Sequence, residues 1–371
     1  MKKVVNYFCL LILGMLGFLP VTQGQDVNYT QFFSSPLYFN PAYTGISTGL
    51  KARFLFRDQW PSLPNDLKSF YFSADIGDRN LPGAGGIGIM INSDSYGAGL
   101  INTLQAALTF SVRIPITSFM VAQVGAKAAI LQRKVNWADL VFPDQLDPKY
   151  GAIYQSSFTP PDEDSRTVPD FAVGGILQFA NEPGSIAGTL GFAVDHLFKP
   201  DVSFLSDGSA QYPRKWVVHG DAIFTTGYSS SSSWANGSGD PLMINPGFMF
   251  QSQANLNYLQ IGLNLMKFNV YIGGWYKTTM TGETNNAVSL LAGYNYQFME
   301  DMSIRFIYSY DLQIAGVMNG TGGAHEISLV LNFESVSLFG GGGRSGGRGF
   351  IPGSRSGRGG GNGPLECPTF Y

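Results

Sequence analysis

Between Leu50 and Phe333 the chain is cut into short segments in which apolar and polar residues alternate, and that period of two leaves few folds open. In "AVSLLAGYNYQF" Val288, Leu290, Ala292, Tyr294, Tyr296 and Phe298 point one way, and Ser289, Asn295 and Gln297 the other. "SIRFIYSYDL" sets Ile304, Phe306, Tyr308, Tyr310 and Leu312 against Ser303, Arg305, Ser309 and Asp311. "HEISLVLNF" sets Ile327, Leu329, Leu331 and Phe333 against Glu326, Ser328 and Asn332. A tilted strand of about 9–11 residues crosses a bilayer, and these segments have that length. Fourteen of them begin near residues 50, 67, 84, 100, 119, 169, 186, 213, 243, 255, 268, 287, 302 and 324. An even number is what a bacterial barrel closes on.

A secreted all-β sandwich has the same alternation, and composition separates the two. Charged residues make up 13% of the chain, against about 25% in ordinary soluble domains. Aromatic residues reach 14%. A surface so poor in charge suits lipid. Beyond the start of the chain no run of about 18 apolar residues offers a membrane-spanning helix, which leaves strands to do the crossing. The predicted fold is all-β: a transmembrane antiparallel β-barrel of 14 strands over residues 50–333.

Residues 1–24 read as a secretory signal, with Lys2 and Lys3 before an apolar run from Phe8 to Leu19 and small residues at Thr22-Gln23-Gly24. Cys9 lacks the small residues that precede a lipidated cysteine. Removal of the signal leaves Cys367 alone, so no intramolecular disulfide is expected. The net charge of −3 implies no nucleic acid.

Barrels keep short turns on the periplasmic side and long loops outside. With the first strand running outward, short turns fall at Gly77 to Gly83, Pro115 to Ser118, Asn181 to Ser185, near Lys267 and at Glu300-Asp301. The longest outer loop runs from Val135 to Val168. Two connections depart from the rule: "SSSSSWANGSGD" is long on the short side, and the link near Gln253 is short on the long side. Even parity puts both termini in the periplasm. Residues 25–49, with "SSPLYFNPAYTGIST", are too apolar to stay in water, and we expect them to fold into the barrel mouth as a periplasmic plug. Residues 334–371 form a tail whose Gly340 to Gly363 stretch holds 13 glycines and four arginines, a composition that cannot order itself. It ends in "PLECPTFY", where Cys367, Phe370 and Tyr371 form a candidate docking peptide.

Enzymatic signatures fail one by one. "GAGGIG", Gly83 to Gly88, has the spacing of a dinucleotide fingerprint, yet a strand pattern follows it instead of a helix, and no acid comes about 20 residues on. His196, His219 and His325 lie on separate segments without ligand spacing. The acidic stretches "DLVFPDQLDPKYG" and "PPDEDS" match no calcium loop. No cofactor, metal or catalytic residue is expected, and the protein reads as non-enzymatic.

Five stretches in order, "QFFSSPLYFNPAYTG", "FRDQWPSLP", "ADLVFPDQLDP", "VPDFAVGGILQF" and "GFAVDHLFKP", resemble the PorP/SprF family of type IX secretion system membrane proteins. The resemblance implies an outer-membrane barrel of the Bacteroidetes secretion and gliding apparatus. It implies as partners a secreted cargo protein with a C-terminal secretion domain, other periplasmic and outer-membrane components of that machinery, and outer-membrane lipid. The motif positions it singles out for plugging or partner binding are Phe39, Asn40, Pro41, Ala42, Tyr43, Arg57, Gln59, Trp60, Asp144, Gln145 and His196. Trp60 also suits an aromatic anchor at the outer interface. The alternative is a channel for small or hydrophobic solutes resembling FadL, whose N-terminal plug also carries Asn-Pro-Ala. A likeness at that level does not establish transport.

Overall fold

The computed structural model describes residues 26–64, 66–77, 84–97, 100–161, 163–181, 185–204, 210–226, 242–280, 285–299, 301–315 and 321–336. The tail residues Cys367, Phe370 and Tyr371 lie outside the described residues, as does most of the serine-rich connection.

Among the described residues fourteen strands close into an antiparallel barrel. They are β1 (Gly49–Gln59), β2 (Leu67–Gly77), β3 (Ala84–Tyr96), β4 (Ile101–Thr117), β5 (Met120–Val135), β8 (Ser165–Ala180), β9 (Ile186–Asp195), β10 (Lys215–Thr225), β11 (Met243–Gln253), β12 (Leu256–Lys267), β13 (Val270–Thr279), β14 (Asn286–Met299), β15 (Met302–Ala315) and β16 (Ala324–Phe333). Two further strands, β6 (Leu146–Asp147) and β7 (Gly151–Ala152), make a small hairpin inside the long loop. Each barrel strand pairs with its sequence neighbour, and β1 closes on β16 from Leu50 opposite Phe333 to Gln59 opposite Ala324. The predicted strand starts differ from the observed ones by four residues at most, at Ser165, where the ladder opposite Lys134 begins earlier than the alternation suggests.

Alternation sorts the two faces of the wall. Leu290, Tyr294, Tyr296 and Phe298 are exposed on the outside while Ser289 is fully buried in the lumen. Phe306, Tyr308 and Leu312 face out, and Ser309 and Asp311 face in. The turns follow the same economy. Phe268 and Asn269 join β12 to β13 with φ of 51° and 67°, the doubly left-handed turn that matches strand twist. At the opposite, long-loop end Ala254 and Asn255 make the short link between β11 and β12.

Residues 26–48 do not pair with the wall as a strand. They run up the lumen through a 3-10 turn at Phe32–Ser34, a one-turn helix at Pro36–Phe39 and a second 3-10 turn at Pro41–Tyr43. Prolines at both starts fix φ where a helical N–H would be unpaired in any case. This segment supplies the core: Tyr29, Phe32, Phe33, Leu37, Tyr38, Phe39 and Tyr43 are all at most 5% exposed. Phe32 meets Trp275 edge-on at 5.1 Å between ring centres, and Phe33 meets Tyr271 at 5.8 Å. Each buried ring contributes about 1.5–3 kcal/mol.

Its course corrects the expectation of a plug confined to the mouth where the first strand begins. Gly49 and Phe333, the barrel's own ends, share the short-turn mouth. Asp26 lies at the other mouth, beside Tyr212, Lys215 and Gln253. The first described residue and the last strand therefore end on opposite sides, while the barrel's own ends share one mouth as the even strand number requires. The physical reason is length: a compact segment of 23 residues, 26–48, has charged anchors at the far end that only a full traverse can reach.

Two substitutions on β14 check the assignment of faces. Leu290→Arg on the lipid face should cost about 2–4 kcal/mol, read from the urea midpoint of the protein refolded into vesicles, whereas Leu290→Phe should be nearly neutral. Equal midpoints for the two variants would place Leu290 elsewhere.

Candidate functional site

The middle of the lumen is built around Asn40. Its Oδ1 accepts from the backbone N–H of Ala42 at 2.9 Å, which caps the 3-10 turn and fixes the amide orientation. Its Nδ2 then faces the carbonyls of Gly175 and Phe192, at 3.2 and 3.3 Å, and His219 Nε2 at 3.1 Å. An amide nitrogen only donates, so His219 Nε2 accepts and Nδ1 carries the proton toward the Tyr43 hydroxyl, 3.2 Å away. The Tyr43 and His219 rings stack at 5.2 Å. The wall makes room with glycine. A Cβ on Gly125 would sit 2.4 Å from the Pro41 carbonyl, and one on Gly174 would sit 2.1 Å from Asn40 Oδ1. Thr44 hands its carbonyl to Ser111 and Gln123, and Gly45, at φ 61°, donates to Asp75 as the chain turns toward β1. Gly86 of "GAGGIG" serves this turn: a Cβ on it would meet Gly45 Cα at 2.5 Å.

At the long-loop end two ion clusters hold the segment. In the first, among the described residues, the wall carboxylates within salt-bridge distance of Lys127, Lys215 and His196 are Asp170 and Asp195. Asp26 supplies the missing negative charge, bonding Lys215 and, at 3.0 Å, His196 Nε2. His196 Nδ1 lies 2.9 Å from Asp170, so both ring nitrogens face carboxylates and both must donate. Burial disfavours the His196 imidazolium, but Asp26 and Asp195 outweigh it and raise its pKa to about 10. Burial likewise works against the Asp26 carboxylate, and Lys215 with His196 holds it well below the usual range. Asp26, Asp195 and His196 have ligand atoms within 4.8 Å of one another, a grouping the sequence spacing hid. The Lys215 ammonium is the cation that sits among them. Its Nζ also lies 4.2 Å over the Tyr38 ring.

The second cluster pairs Arg57 with Glu326 and, at 3.0 Å, with Asp311, which also takes Lys277 at 3.2 Å. Here the charges already balance, and the segment brings donors instead. The backbone N–H groups of Thr30 and Gln31 straddle the Glu326 carboxylate at 2.7 and 2.9 Å.

The motif residues thus fall into separate places. Phe39, Asn40, Pro41, Ala42 and Tyr43 fill mid-lumen. Arg57 belongs to the second cluster and His196 to the first. Gln59 and Trp60 line a cavity above them. Asp144 and Gln145 stand apart in the exposed long loop. The Asp144 carboxyl is held below its usual range by the Ser157 backbone N–H and hydroxyl, and Gln145 accepts from Phe142 N. Asp26, Lys215 and His219 were not among the sequence-derived site residues; His219 entered only as a histidine without ligand spacing. The last two were detectable as charge-bearing positions on the inward parity of "KWVVHGD", but Asp26 carried no signal.

Asp26→Asn should leave an uncompensated cation and loosen the segment by about 3–5 kcal/mol, with Lys215→Gln in the same chain restoring much of it. Protease cleavage within residues 26–48 of the folded protein reads the effect; additive variants would refute the pairing. The pH dependence has two signs. His196, raised in the folded state, stabilises fully below its unfolded pKa of about 6.5 and loses that contribution as pH rises through about 10. Asp26, lowered, stabilises above about 3.9 and loses its contribution in stronger acid, so cleavage should be slowest between these limits. Gly125→Val should displace the segment outright while the barrel keeps its heat-modifiable gel migration.

Among solved structures the chain is similar to CdiB from Acinetobacter baumannii, at 9% identity and TM-score 0.41, over 77% of this chain and 60% of that one. It is similar to the CymD monoaromatic hydrocarbon channel, at 9% identity and TM-score 0.42, over 81% and 92%. A Pseudomonas aeruginosa FadL homologue matches at 12% identity and TM-score 0.37, over 77% and 89%. No curated protein sequence matches. The model of the type IX secretion system membrane proteins PorP/SprF matches residues 21–331, which takes in the luminal segment and nearly the whole barrel. With a match of that extent, the chain belongs to the PorP/SprF family of type IX secretion system membrane proteins.

Proposed function

We propose that the protein is a sealed outer-membrane docking barrel of the type IX machinery, which assists export or surface anchoring of a cargo protein through the cargo's C-terminal domain. The observation that carries this reading is the filled lumen. Residues 26–48 occupy it from the short-turn mouth to the long-loop mouth, anchored at mid-height and at the far end. A barrel so filled offers a partner its rims and outer wall. The short-turn mouth, where Gly49 and Phe333 lie, faces the periplasm in this reading, and residues 334–371 reach from it toward other components of the machinery. Cys367, Phe370 and Tyr371 would form the docking end of that tail. The long loop with Asp144 and Gln145 faces outward, available to cargo.

The solute-channel alternative requires the luminal segment to leave. In planar bilayers the wild-type protein should show no steady conductance, and the Gly125→Val variant should. Steady wild-type conductance together with solute uptake lost on gene deletion would favour the channel. Deletion of the gene should strand one or a few cargo proteins in the periplasm; an unchanged surface proteome would end the secretion reading. Removing residues 334–371 should strip periplasmic partners from affinity-purified protein while cargo is retained.

A further inference from the structure

Arg57, Gln59 and Trp60 of "FRDQWPSLP" meet at one cavity of about 240 Å³ at the long-loop mouth, floored by Asp26, Val27 and Asn28 of the luminal segment. Trp60 holds a backbone φ of 62°, a left-handed conformation that a bulky residue rarely adopts. Its N–H donates to the Gly323 carbonyl at 2.8 Å and its carbonyl accepts from Leu63 at 2.9 Å, so the surroundings keep the strained residue in place. Strain of this kind gathers at functional sites.

The chemistry of the cavity narrows what it takes. Its charged groups, Asp26, Arg57, Lys277 and Asp311, are already joined in ion pairs, so an ionic ligand finds no counter-charge waiting. What remains is amide and phenol: Gln59, the pair in which the Gln313 amide donates to the Asn285 oxygen at 2.7 Å, and Tyr96 with Tyr258, groups that donate and accept together. Arg57 binds the Gln59 oxygen at 3.0 Å, which leaves the amide hydrogens for a ligand. An extended peptide is recognised chiefly by adding a strand to a free sheet edge, and a closed barrel has none. Hydroxyl-rich molecules with one apolar face match amides, phenols and an indole ring far better. The volume is slightly under the roughly 300 Å³ at which drug-sized pockets begin, so it suits one or two sugar rings.

We infer that the long-loop mouth is a binding site for a neutral saccharide end, with the Trp60 ring as its platform. The inference stands on the cavity and is independent of the role in secretion. Its test is saturation-transfer NMR on the full chain in detergent, with glucose, galactose, mannose, N-acetylglucosamine, maltose and cellobiose as probes. Trp60→Gly removes the ring and suits the left-handed backbone better, so the fold is retained, as heat-modifiable migration verifies. The expected result is transfer to at least one sugar, weakened about tenfold or more by Trp60→Gly. Trp216→Ala, on the lipid face, should leave that binding unchanged. No transfer to any probe, transfer insensitive to Trp60→Gly, or Trp60-dependent binding of an unglycosylated cargo peptide alone would each overturn it.

Discussion

Charge enclosed by a ring of strands must find charge to pair with, and the architecture of this lumen follows from that. The desolvation of an isolated ion costs several kcal/mol, so wall residues such as Lys127, Lys215 and His196 require carboxylates at hydrogen-bond distance. The wall alone provides Asp170 and Asp195. The third comes from the chain's own beginning. The luminal segment is thus held by its charge: without Asp26, Lys215 and His196 each lose a carboxylate partner.

Everything along the segment is consistent with that anchor. Aromatic rings fill the volume between the anchored end and mid-lumen, and the Asn40 turn then brings the chain against the glycines of β5 and β8, where no side chain would fit. Packing and pairing reinforce one another here. The rings exclude water, which strengthens the ion pairs, and the ion pairs fix the height at which the rings meet Trp275 and Tyr271. A vestibule is left above Arg57 and Lys277, where the segment ends and the loops begin.

Much of this was legible beforehand, for specific reasons. Period-two alternation over Val288 to Phe298 and Ile304 to Leu312 tells which side chains meet lipid, because a strand has only two faces and lipid tolerates one kind of residue. Asn40-Pro41 announced a turn, and the apolar character of residues 25–49 announced burial. Arg57 and His196 were singled out beforehand, whereas Asp26 and Lys215 were not, and no grouping among them was legible. Arg57 meets Asp311 and Glu326 across more than 250 positions of sequence, a separation at which no local pattern records contact.

The sequence by itself determined a fourteen-strand wall and its two faces, since alternation and turn spacing are local properties. Only the tertiary structure decided how far residues 26–48 travel, which cations Asp26 meets, and that Trp60 lines the same cavity as Asp26. Those outcomes depend on closing the ring at β1 and β16, which sets the lumen's width and height and brings together groups that the chain holds far apart.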